Sequence, residues 1–176
     1  MQQGLNQFLK DVERRAYRMA FIATHNRDEA LDIVQDAMMK LAQKYAHKPP
    51  DQWPPLFYRI LQHRITDWYR RRKIERGIRG LFGLNSEDEE QSNTPEIADE
   101  ADEPSKNLDN HQSMHKLDEI LHQLPLRQQQ AFLLRTWEGL NVSDTAKIMG
   151  CSSGSVKTHY SRAIHTVRQK LEGHWP

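Results

Sequence analysis

The chain has 176 residues, a net charge of +1 at pH 7 and one cysteine, Cys151. A single cysteine excludes an internal disulfide framework or a thiolate cluster for zinc, and we expect Cys151 to be a small buried hydrophobe rather than a reactive thiol. No apolar run approaches the roughly 18 residues of a membrane span, and residues 1–10 lack the features of a signal peptide, so we expect a cytoplasmic protein without membrane insertion.

The small net charge conceals a segregation of charge along the chain. From Arg59 to Arg79 there are eight Arg and Lys residues against two acids, whereas from Glu87 to Asp109 ten acids face one lysine. The first block can bind a polyanion such as nucleic acid, and the second cannot.

In chain order, the first predicted element is an amphipathic helix, because apolar residues recur at helical spacing from Leu5 to Ala23. Asn26, with Glu29 three residues on, resembles a capping box that begins a second helix, whose apolar stripe runs from Ala30 to Tyr45. The proline pair at 49–50 should end this helix.

A third helix follows a turn-rich stretch at 51–55. Apolar residues from Leu56 to Trp68 lie on one side of it and most of the arginines lie on the other. Together the three helices predict a compact helical unit over residues 1–83.

Residues 84–110 combine acids with proline, serine and asparagine and have almost no large apolar side chains. This composition predicts a flexible acidic linker. About 25 such residues have a root-mean-square span of roughly 25 to 30 Å and can stretch to about 80 Å. The units that the linker joins could therefore occupy DNA sites more than one helical turn apart, a turn being about 34 to 36 Å.

Residues 111–174 predict a second helical unit. An apolar stripe runs through Met114, Leu117, Leu121 and Leu124. Pro125 fits the first turn of the next helix, which should stop near Gly139.

A helix-turn-helix is predicted at the end of this unit. Asn141 can cap a short helix that runs through Met149, Gly150 allows the dihedral angles of a tight turn, and Ser152 can cap a last helix. The second helix of such a motif is available to the major groove of DNA. Because the sequence shows no strand alternation, the predicted fold class is all-α, with two small helical domains joined by an acidic flexible linker.

Three runs of the sequence resemble a known family. Residues 28–45, DEALDIVQDAMMKLAQKY, and residues 56–73, LFYRILQHRITDWYRRRK, resemble the second conserved region of bacterial sigma factors. Residues 124–171, which begin LPLRQQQAFLL and end SRAIHTVRQKL, resemble the fourth region. Two such regions with only a linker between them are similar to the extracytoplasmic-function (ECF) group of the sigma-70 family.

This resemblance implies an alternative sigma factor that binds core RNA polymerase and directs promoter recognition, DNA melting and transcription initiation. The implied partners are promoter DNA and core polymerase, through the clamp helices of the largest subunit and the flap; an anti-sigma protein is left open as a third. The resemblance implies no catalytic residue, no metal and no cofactor, because the polymerase makes the phosphodiester bonds and the sigma factor shifts an equilibrium by binding single-stranded DNA better than duplex.

In the family, the second helix of the N-terminal unit docks on the clamp helices. Taken singly, each residue of the exposed face of this helix is better explained as part of a solvated surface than as a polymerase contact. Only the group as a whole is therefore a candidate contact. The resemblance implies that polymerase is contacted by Asp32, Gln35, Asp36 and Lys40.

The third helix has the composition of a surface that holds melted DNA, because cations follow the backbone and aromatic rings stack on unpaired bases. His63 and Asp67 are four residues apart, hence on one face, and match the positions that read a flipped base of the minus-ten element in the family. For Trp68 and Tyr58, core packing is at least as good an explanation as stacking. The candidate minus-ten residues are Arg59, His63, Arg64, Asp67, Trp68 and Arg71.

The last predicted helix carries polar residues opposite its apolar stripe, and these match positions that contact the minus-thirty-five element in the family. Arg and Lys favour guanine edges when aligned, while Ser and Thr mostly fix the backbone. For Arg162, a structural salt bridge is the alternative explanation. Arg127 and Arg135 are better explained as phosphate or intrahelical partners than as residues that read bases. The candidate minus-thirty-five residues are Arg127, Lys157, Thr158, Ser161 and Arg162.

Three features depart from the family pattern. Thr145 stands where the family usually has an apolar residue, which predicts weaker packing, and Ile164 stands where Arg or Lys is common, which removes a phosphate contact. The loop AHKPPDQWPP is unusually rich in proline.

Other functions fit parts of the sequence. A one-component or response regulator shares the helix-turn-helix but would need an N-terminal ligand pocket or phosphoacceptor fold, whereas this N-terminal half is helical, basic and aromatic. A nucleic-acid enzyme is a more distant alternative, because there is no phosphate-cradling glycine loop and no nucleophile elbow. His111, His115 and His122 recur at roughly helical intervals and could form a metal face, but no carboxylate or thiolate completes a coordination shell at suitable spacing.

Overall fold

In a computed structural model of the protein, residues 2–81 and 104–172 are described, and they form helices and turns without a strand. The predicted all-α class is therefore confirmed. Contacts divide the chain into two compact units, Met1–Thr94 and Pro95–Pro176. The division falls inside the predicted linker, whose residues 84–103 lie outside the described part of the chain.

The N-terminal unit is built from three helices. Helix α1 spans Gln2–Thr24, α2 spans Arg27–Tyr45 and α3 spans Trp53–Leu81, with a 3-10 turn at Pro50–Gln52. The side chain of Asn26 accepts a hydrogen bond from the Glu29 N–H at 3.0 Å, which confirms the predicted cap of α2.

The core of this unit lies where the three helices meet. Phe8 packs at one end of it, with its ring centroid 6.1 Å from that of Trp53 and 6.0 Å from that of Phe57. Trp53 Nε1 also donates a hydrogen bond to the Tyr45 carbonyl at 3.1 Å, so the start of α3 is fixed to the end of α2. The largest fully buried apolar side chains are Trp53, Phe57, Met19, Ile22, Leu41, Leu61 and Ile65.

The start of α3 differs from the turn predicted at 51–55. Trp53, Pro54 and Pro55 form the first turn of the helix rather than a turn before it. Proline is tolerated there because the first N–H groups of a helix have no intrahelical partner.

The second unit packs its last helix against the others. Helix α4 spans Pro104–Gln123, α5 spans Leu126–Phe132 and continues as a π-helical turn at Leu133–Trp137, α6 spans Val142–Met149 and α7 spans Ser153–Leu171. Helix α7 contacts α4, α5 and α6. Leu121, Leu133, Leu134 and Ile148 are the largest fully buried apolar side chains.

Two features of α4 differ from the prediction. The helix begins at Pro104, so residues 104–110, predicted as linker, are helical. Proline fits the first turn of a helix, which is why a linker-like composition does not exclude one here. Met114, predicted on the apolar stripe, is 39% exposed, whereas Leu121 and Leu124 are buried. Among the α4 side chains that the structure describes, from residue 110 onward, the buried ones are Ile120 and Leu121, near the C-terminal end of the helix.

The helix-turn-helix has the predicted caps. The Asn141 side chain accepts a hydrogen bond from the Asp144 N–H at 2.8 Å, and Ser152 Oγ accepts one from the Ser155 N–H at 3.1 Å. Between them, Gly150 has a φ of 65°, in the left-handed region that glycine adopts without strain.

Thr145 and Cys151, near this turn, were also the subject of predictions from the sequence. Thr145, expected to weaken packing, is fully buried, but its hydroxyl donates a hydrogen bond to the Asn141 carbonyl at 2.8 Å, so the buried polar group has a partner. Cys151, expected to be buried, is only half-buried, because it stands in the turn after Gly150.

None of the described helices combines the length and the apolar character that crossing a membrane requires.

Candidate nucleic-acid interface

The exposed side of α3 brings the candidate minus-ten residues together in two adjoining stripes. Arg59, His63 and Asp67 recur every fourth residue, and all three are exposed. The second stripe consists of Arg64, Trp68 and Arg71, of which the first two are half-buried and the third is exposed. A polyanion that follows this helix would meet cations on both stripes, and an imidazole and a carboxylate on the first.

The two aromatic candidates on α3, Tyr58 and Trp68, differ in how far they are buried. Tyr58 is 3% exposed and packs edge-on against Phe57, with ring centroids 5.7 Å apart, so it belongs to the core. Trp68 is half-buried, its ring centroid lies 5.4 Å from that of Tyr69, and the Arg72 guanidinium lies 5.7 Å from the Trp68 centroid. Part of the Trp68 surface thus remains available beside a cation.

Helix α3 continues well past the core of its unit. Every side chain described from Lys73 to Leu81 is exposed, including Ile74 at 61%, Ile78 at 49% and Leu81 at 85%. The basic run at 70–73 therefore lies where the helix leaves the three-helix core, which gives the run access to solvent.

The candidate polymerase face lies on the side of α2 that points away from the core. Its members Asp32, Gln35 and Asp36 are exposed and Lys40 is half-buried. The sequence reasoning missed two apolar members, since Leu31 is 46% exposed and Met39 is 54% exposed. Their signal in the sequence is that both fall outside the apolar stripe of α2. A surface that mixes acids with apolar side chains fits a protein partner better than it fits DNA.

On α7, the candidate minus-thirty-five residues share the exposed side of the helix. Lys157, Thr158, Ser161 and Arg162 are all exposed, while Val156 faces the core. The Thr158 hydroxyl already donates a hydrogen bond to the Gly154 carbonyl at 3.1 Å. Because phosphate oxygens need donors, Thr158 is less suited to a backbone contact than Lys157 or Arg162.

Arg127 on α5 and Arg135 in the π-helical turn that follows it have intramolecular partners. Arg127 Nη1 donates to the Met149 carbonyl at 2.7 Å and lies 3.5 Å from Gln130 Oε1, so this exposed side chain ties α5 to the end of α6. Arg135 Nη1 donates to the Leu140 carbonyl. The Arg135 guanidinium lies 5.3 Å from the ring centroid of Tyr160. Arg135 therefore supports the position of α7.

A further titratable group, His159, was missed by the sequence reasoning. It is half-buried on α7, one turn before Arg162. Burial lowers the pKa of His159, and the guanidinium groups of Arg127 and Arg162 lower it further. The guanidinium groups of Arg127 on α5 and Arg162 on α7 thus both act on His159 at one side of α7. The available sequence signal was the three-residue spacing of His159 and Arg162 on a predicted helix.

The histidines considered as a metal face lie on α4. His111 and His115 are exposed and His122 is half-buried. Across residues 2–81 and 104–172, the structure groups no three His, Cys, Asp or Glu side chains as a metal site would require.

Comparison with known proteins establishes the family of the chain. Residues 5–74 match the family described as Sigma-70 region 2, and residues 114–166 match Sigma-70, region 4. Over 164 residues the chain is 31% identical to RNA polymerase sigma factor SigV of Bacillus subtilis (strain 168), and the alignment covers 93% of this chain and 88% of that protein. The chain belongs to the sigma-70 family.

Within the family, this sigma factor falls in the ECF group. It is 22% identical over 161 residues to the ECF RNA polymerase sigma factor SigX of Bacillus subtilis (strain 168), with 89% of this chain and 77% of that protein covered. The region 2 match includes α2 and most of α3, and the region 4 match includes the helix-turn-helix. The candidate surfaces of this sigma factor thus lie within the two matched regions.

Solved structures show the same fold. The sigma factor RpoE of Bartonella quintana, solved in complex with the anti-sigma factor NepR, superposes on this chain with a TM-score of 0.68 at 23% identity. The superposition covers 95% of this chain and 96% of the RpoE chain. CnrH, solved in complex with the cytosolic domain of CnrY, has a TM-score of 0.64 at 15% identity, with 98% and 90% covered. At these identities the likeness concerns the fold of this sigma factor alone.

Proposed function

We propose that the protein is an alternative, ECF-type sigma factor that binds core RNA polymerase and directs promoter recognition, DNA melting and transcription initiation. The observation that carries the proposal is the pair of exposed cationic helical surfaces, on α3 and on α7, within the two matched regions and in the family's order. Residues 1–83 would bind polymerase and the minus-ten element, residues 104–174 would bind the minus-thirty-five element, and residues 84–103 would link them.

The exposed face of α2 is the proposed polymerase site. Its acids, Asp32 and Asp36, repel DNA but can pair with basic residues of a protein partner. The exposed apolar surfaces of Leu31 and Met39 add contact area that becomes favourable once water is displaced. A charged face with an apolar part is what a specific protein interface requires.

The exposed face of α3 is the proposed minus-ten site. Its arginines would follow the backbone of the melted strand, and Trp68 can stack on an unpaired base. His63 and Asp67 are exposed one turn apart, so both can hydrogen-bond the edge of a base that has left the duplex. Because these contacts exist only with unpaired bases, they shift the equilibrium toward open DNA.

The exposed face of α7 is the proposed minus-thirty-five site. Lys157 and Arg162 can reach base edges or phosphates, and Ser161 can reach the backbone. No reaction is assigned to this chain, since the polymerase makes the phosphodiester bonds. The same role places the protein in the bacterial cytoplasm with the polymerase. Since the solved relative RpoE is in complex with an anti-sigma factor, we include a protein of that kind among the candidate partners.

The deciding experiment is run-off transcription with purified core polymerase and promoters that carry both elements. The wild-type chain should direct initiation at a defined start. The Asp32→Lys with Asp36→Lys variant should bind polymerase at least about tenfold more weakly, because it reverses the charge of the proposed docking face. The matched control is Asp11→Lys with Glu13→Lys, which makes the same change in charge on the exposed surface of α1 and should keep activity.

A different result would favour a helix-turn-helix regulator of the response-regulator or one-component type. That result is tight, sequence-specific binding of the isolated chain to duplex DNA together with no binding to core polymerase. Free duplex should instead be bound weakly, because each small domain buries little surface and the acidic segment repels phosphates.

A further inference from the structure

Basic side chains from two helices lie where α7 packs against α5. Arg127 of α5 is exposed, and its Nη1 is held by the Met149 carbonyl at 2.7 Å, which orients the guanidinium at the end of α6. On α7, Arg162 is exposed and His159 is half-buried one turn earlier. Helix α7 packs directly against α5, and both Arg127 and Arg162 act electrostatically on His159.

We infer that Arg127, His159 and Arg162 form a binding site for one phosphate of the DNA backbone, and that DNA binding there is coupled to the uptake of a proton by His159. The inference rests on the proposed function, because the phosphate is that of the upstream promoter element. It adds a pH-dependent contact to that site.

The arrangement of charge argues for an anion. Arg162 lies one turn after His159 on α7, and α5, which carries Arg127, packs against α7. The charged groups that act on His159 are Arg127 and Arg162. Such an arrangement is unfavourable without a counter-ion and becomes favourable when a phosphate is placed among the groups. The position of the site, beside the exposed face of α7, is where a backbone passes when that face enters the major groove.

The direction of the proton linkage follows from the surroundings of His159. In the free protein, burial and then the two guanidinium groups hold the pKa of His159 below its ordinary value, so the imidazole is neutral near neutral pH. A bound phosphate favours the imidazolium and raises the pKa. The complex therefore takes up a proton, and affinity rises as pH falls through the pKa of the bound state. Below the pKa of the free state both forms are protonated and the increase stops.

The test measures the affinity of the reconstituted holoenzyme for a duplex carrying the upstream element, by fluorescence anisotropy at pH values from about 8 to about 6. The wild type should gain about three- to tenfold in affinity over this range beyond the change in His159→Gln, since each pKa unit gained on binding multiplies affinity about tenfold. His159→Arg should bind tightly at all these pH values, because its charge is permanent.

The matched control is His115→Gln, an exposed histidine on α4, which should keep the wild-type pH dependence. If His159→Gln retains the full wild-type dependence, the inference is wrong. Neutral methylphosphonate linkages placed singly along the upstream element provide a second check: one position should abolish the dependence. If the dependence survives every such linkage but changes with one base pair, His159 reads a base and the phosphate site is refuted. Failure of wild-type holoenzyme to bind the duplex at any pH would instead contradict the proposed function.

Discussion

His63 and Asp67 on α3 and Lys157 on α7 are exposed in separate units and are proposed to contact DNA in different states. His63→Ala with Asp67→Ala should relax base preference in the minus-ten element and slow opening, because these side chains would contact a base only after it leaves the stack. Lys157→Ala should act upstream. If Lys157 meets a base edge, its loss should cost about 1 to 3 kcal/mol at one position; if it meets a phosphate, binding should weaken for all sequences and the salt slope should fall by about 0.9.

The measurement is open-complex formation on duplex and pre-melted promoters with single-base changes in each element. A pre-melted bubble should bypass part of the opening defect of the double variant without restoring its base preference, and it should not rescue Lys157→Ala. An effect of Lys157→Ala confined to the melted segment would contradict the assignment of the two surfaces. So would an effect of the double variant confined to the upstream element.

Two buried glutamines differ in how their amide groups are hydrogen-bonded. Gln62 is 2% exposed, and its Oε1 has no hydrogen-bond partner among the residues that the structure describes. Its Nε2 lies 3.9 Å from Met19 Sδ, a weak acceptor. Gln129 is also 2% exposed, but its Nε2 donates to the Leu121 carbonyl at 2.9 Å. A buried polar atom without a partner costs free energy that an apolar side chain of similar size would not.

Gln62→Met should therefore raise the free energy of unfolding by about 1 kcal/mol, whereas Gln129→Met should lower it by about 1 to 3 kcal/mol, because the Leu121 carbonyl loses its side-chain donor. Urea denaturation of the full chain, followed by circular dichroism, measures both changes. A loss of stability in Gln62→Met would show that the amide contributes more than its visible contacts explain.

At the scale of the helices, the helix-turn-helix offers a pair of glycines with opposite requirements. Gly150 has a φ of 65°, and a Cβ there would meet no atom of the described residues within 4 Å, so the cost of Gly150→Ala is conformational. That substitution should destabilise the protein by about 1 kcal/mol. Gly154 lies in the first turn of α7, where a Cβ would lie 3.9 Å from Ser152 Oγ, an ordinary contact. Gly154→Ala should stabilise by about 0.5 to 1 kcal/mol.

Thermal denaturation of the two variants beside the wild type provides the measurement. Shifts of the unfolding midpoint in the same direction would contradict the role assigned to the turn. Neither glycine is a proposed DNA contact. Any change in upstream DNA binding by Gly150→Ala should therefore come from an altered turn and not from a lost contact.

The helix ends were predictable because their determinants are local. Asn26, Asn141 and Ser152 each cap the N–H of a residue three positions ahead, and Gly150 ends α6, so a short stretch of sequence contains the whole interaction. The exposed faces of α2, α3 and α7 were predictable for the same reason, since helical periodicity separates them from the core.

Other features depend on residues far apart in the chain and were not predictable. The Met149 carbonyl that holds Arg127 is 22 positions away, and the Trp53 indole finds the Tyr45 carbonyl only once α2 and α3 have packed. The convergence of Arg127 on His159 likewise requires the packing of α5 on α7. The π-helical turn at Leu133–Trp137 has no local sequence signature that distinguishes it from a continued α-helix.

At the scale of the whole molecule, the acidic segment should act through its length more than through its sequence. Its nine acids between Glu87 and Glu103 have the sign of nucleic acid, and we expect the segment to thread the polymerase channel and tether the two units. Scrambling residues 84–103 at constant charge should leave promoter choice intact. Deleting about half of them should abolish initiation, because the two units could no longer reach both elements.

Transcription from promoters with both elements, at several spacings between them, tests the role of length. The scrambled chain is the matched control for the shortened one. Unchanged transcription from the shortened chain at the normal spacing would contradict the tethering role.

The packing of α1 on α2 and of α2 on α3 also has a consequence for synthesis on the ribosome. Contacts between neighbouring helices give low contact order, and such helical units fold within about microseconds to milliseconds. Translation of the 82 residues from Pro95 to Pro176 takes about 4 to 16 seconds at about 5 to 20 residues per second. Once α3 has left the ribosome during that interval, the nascent chain carries a folded first unit with its arginine-rich helix exposed, and the nearest polyanion is ribosomal RNA.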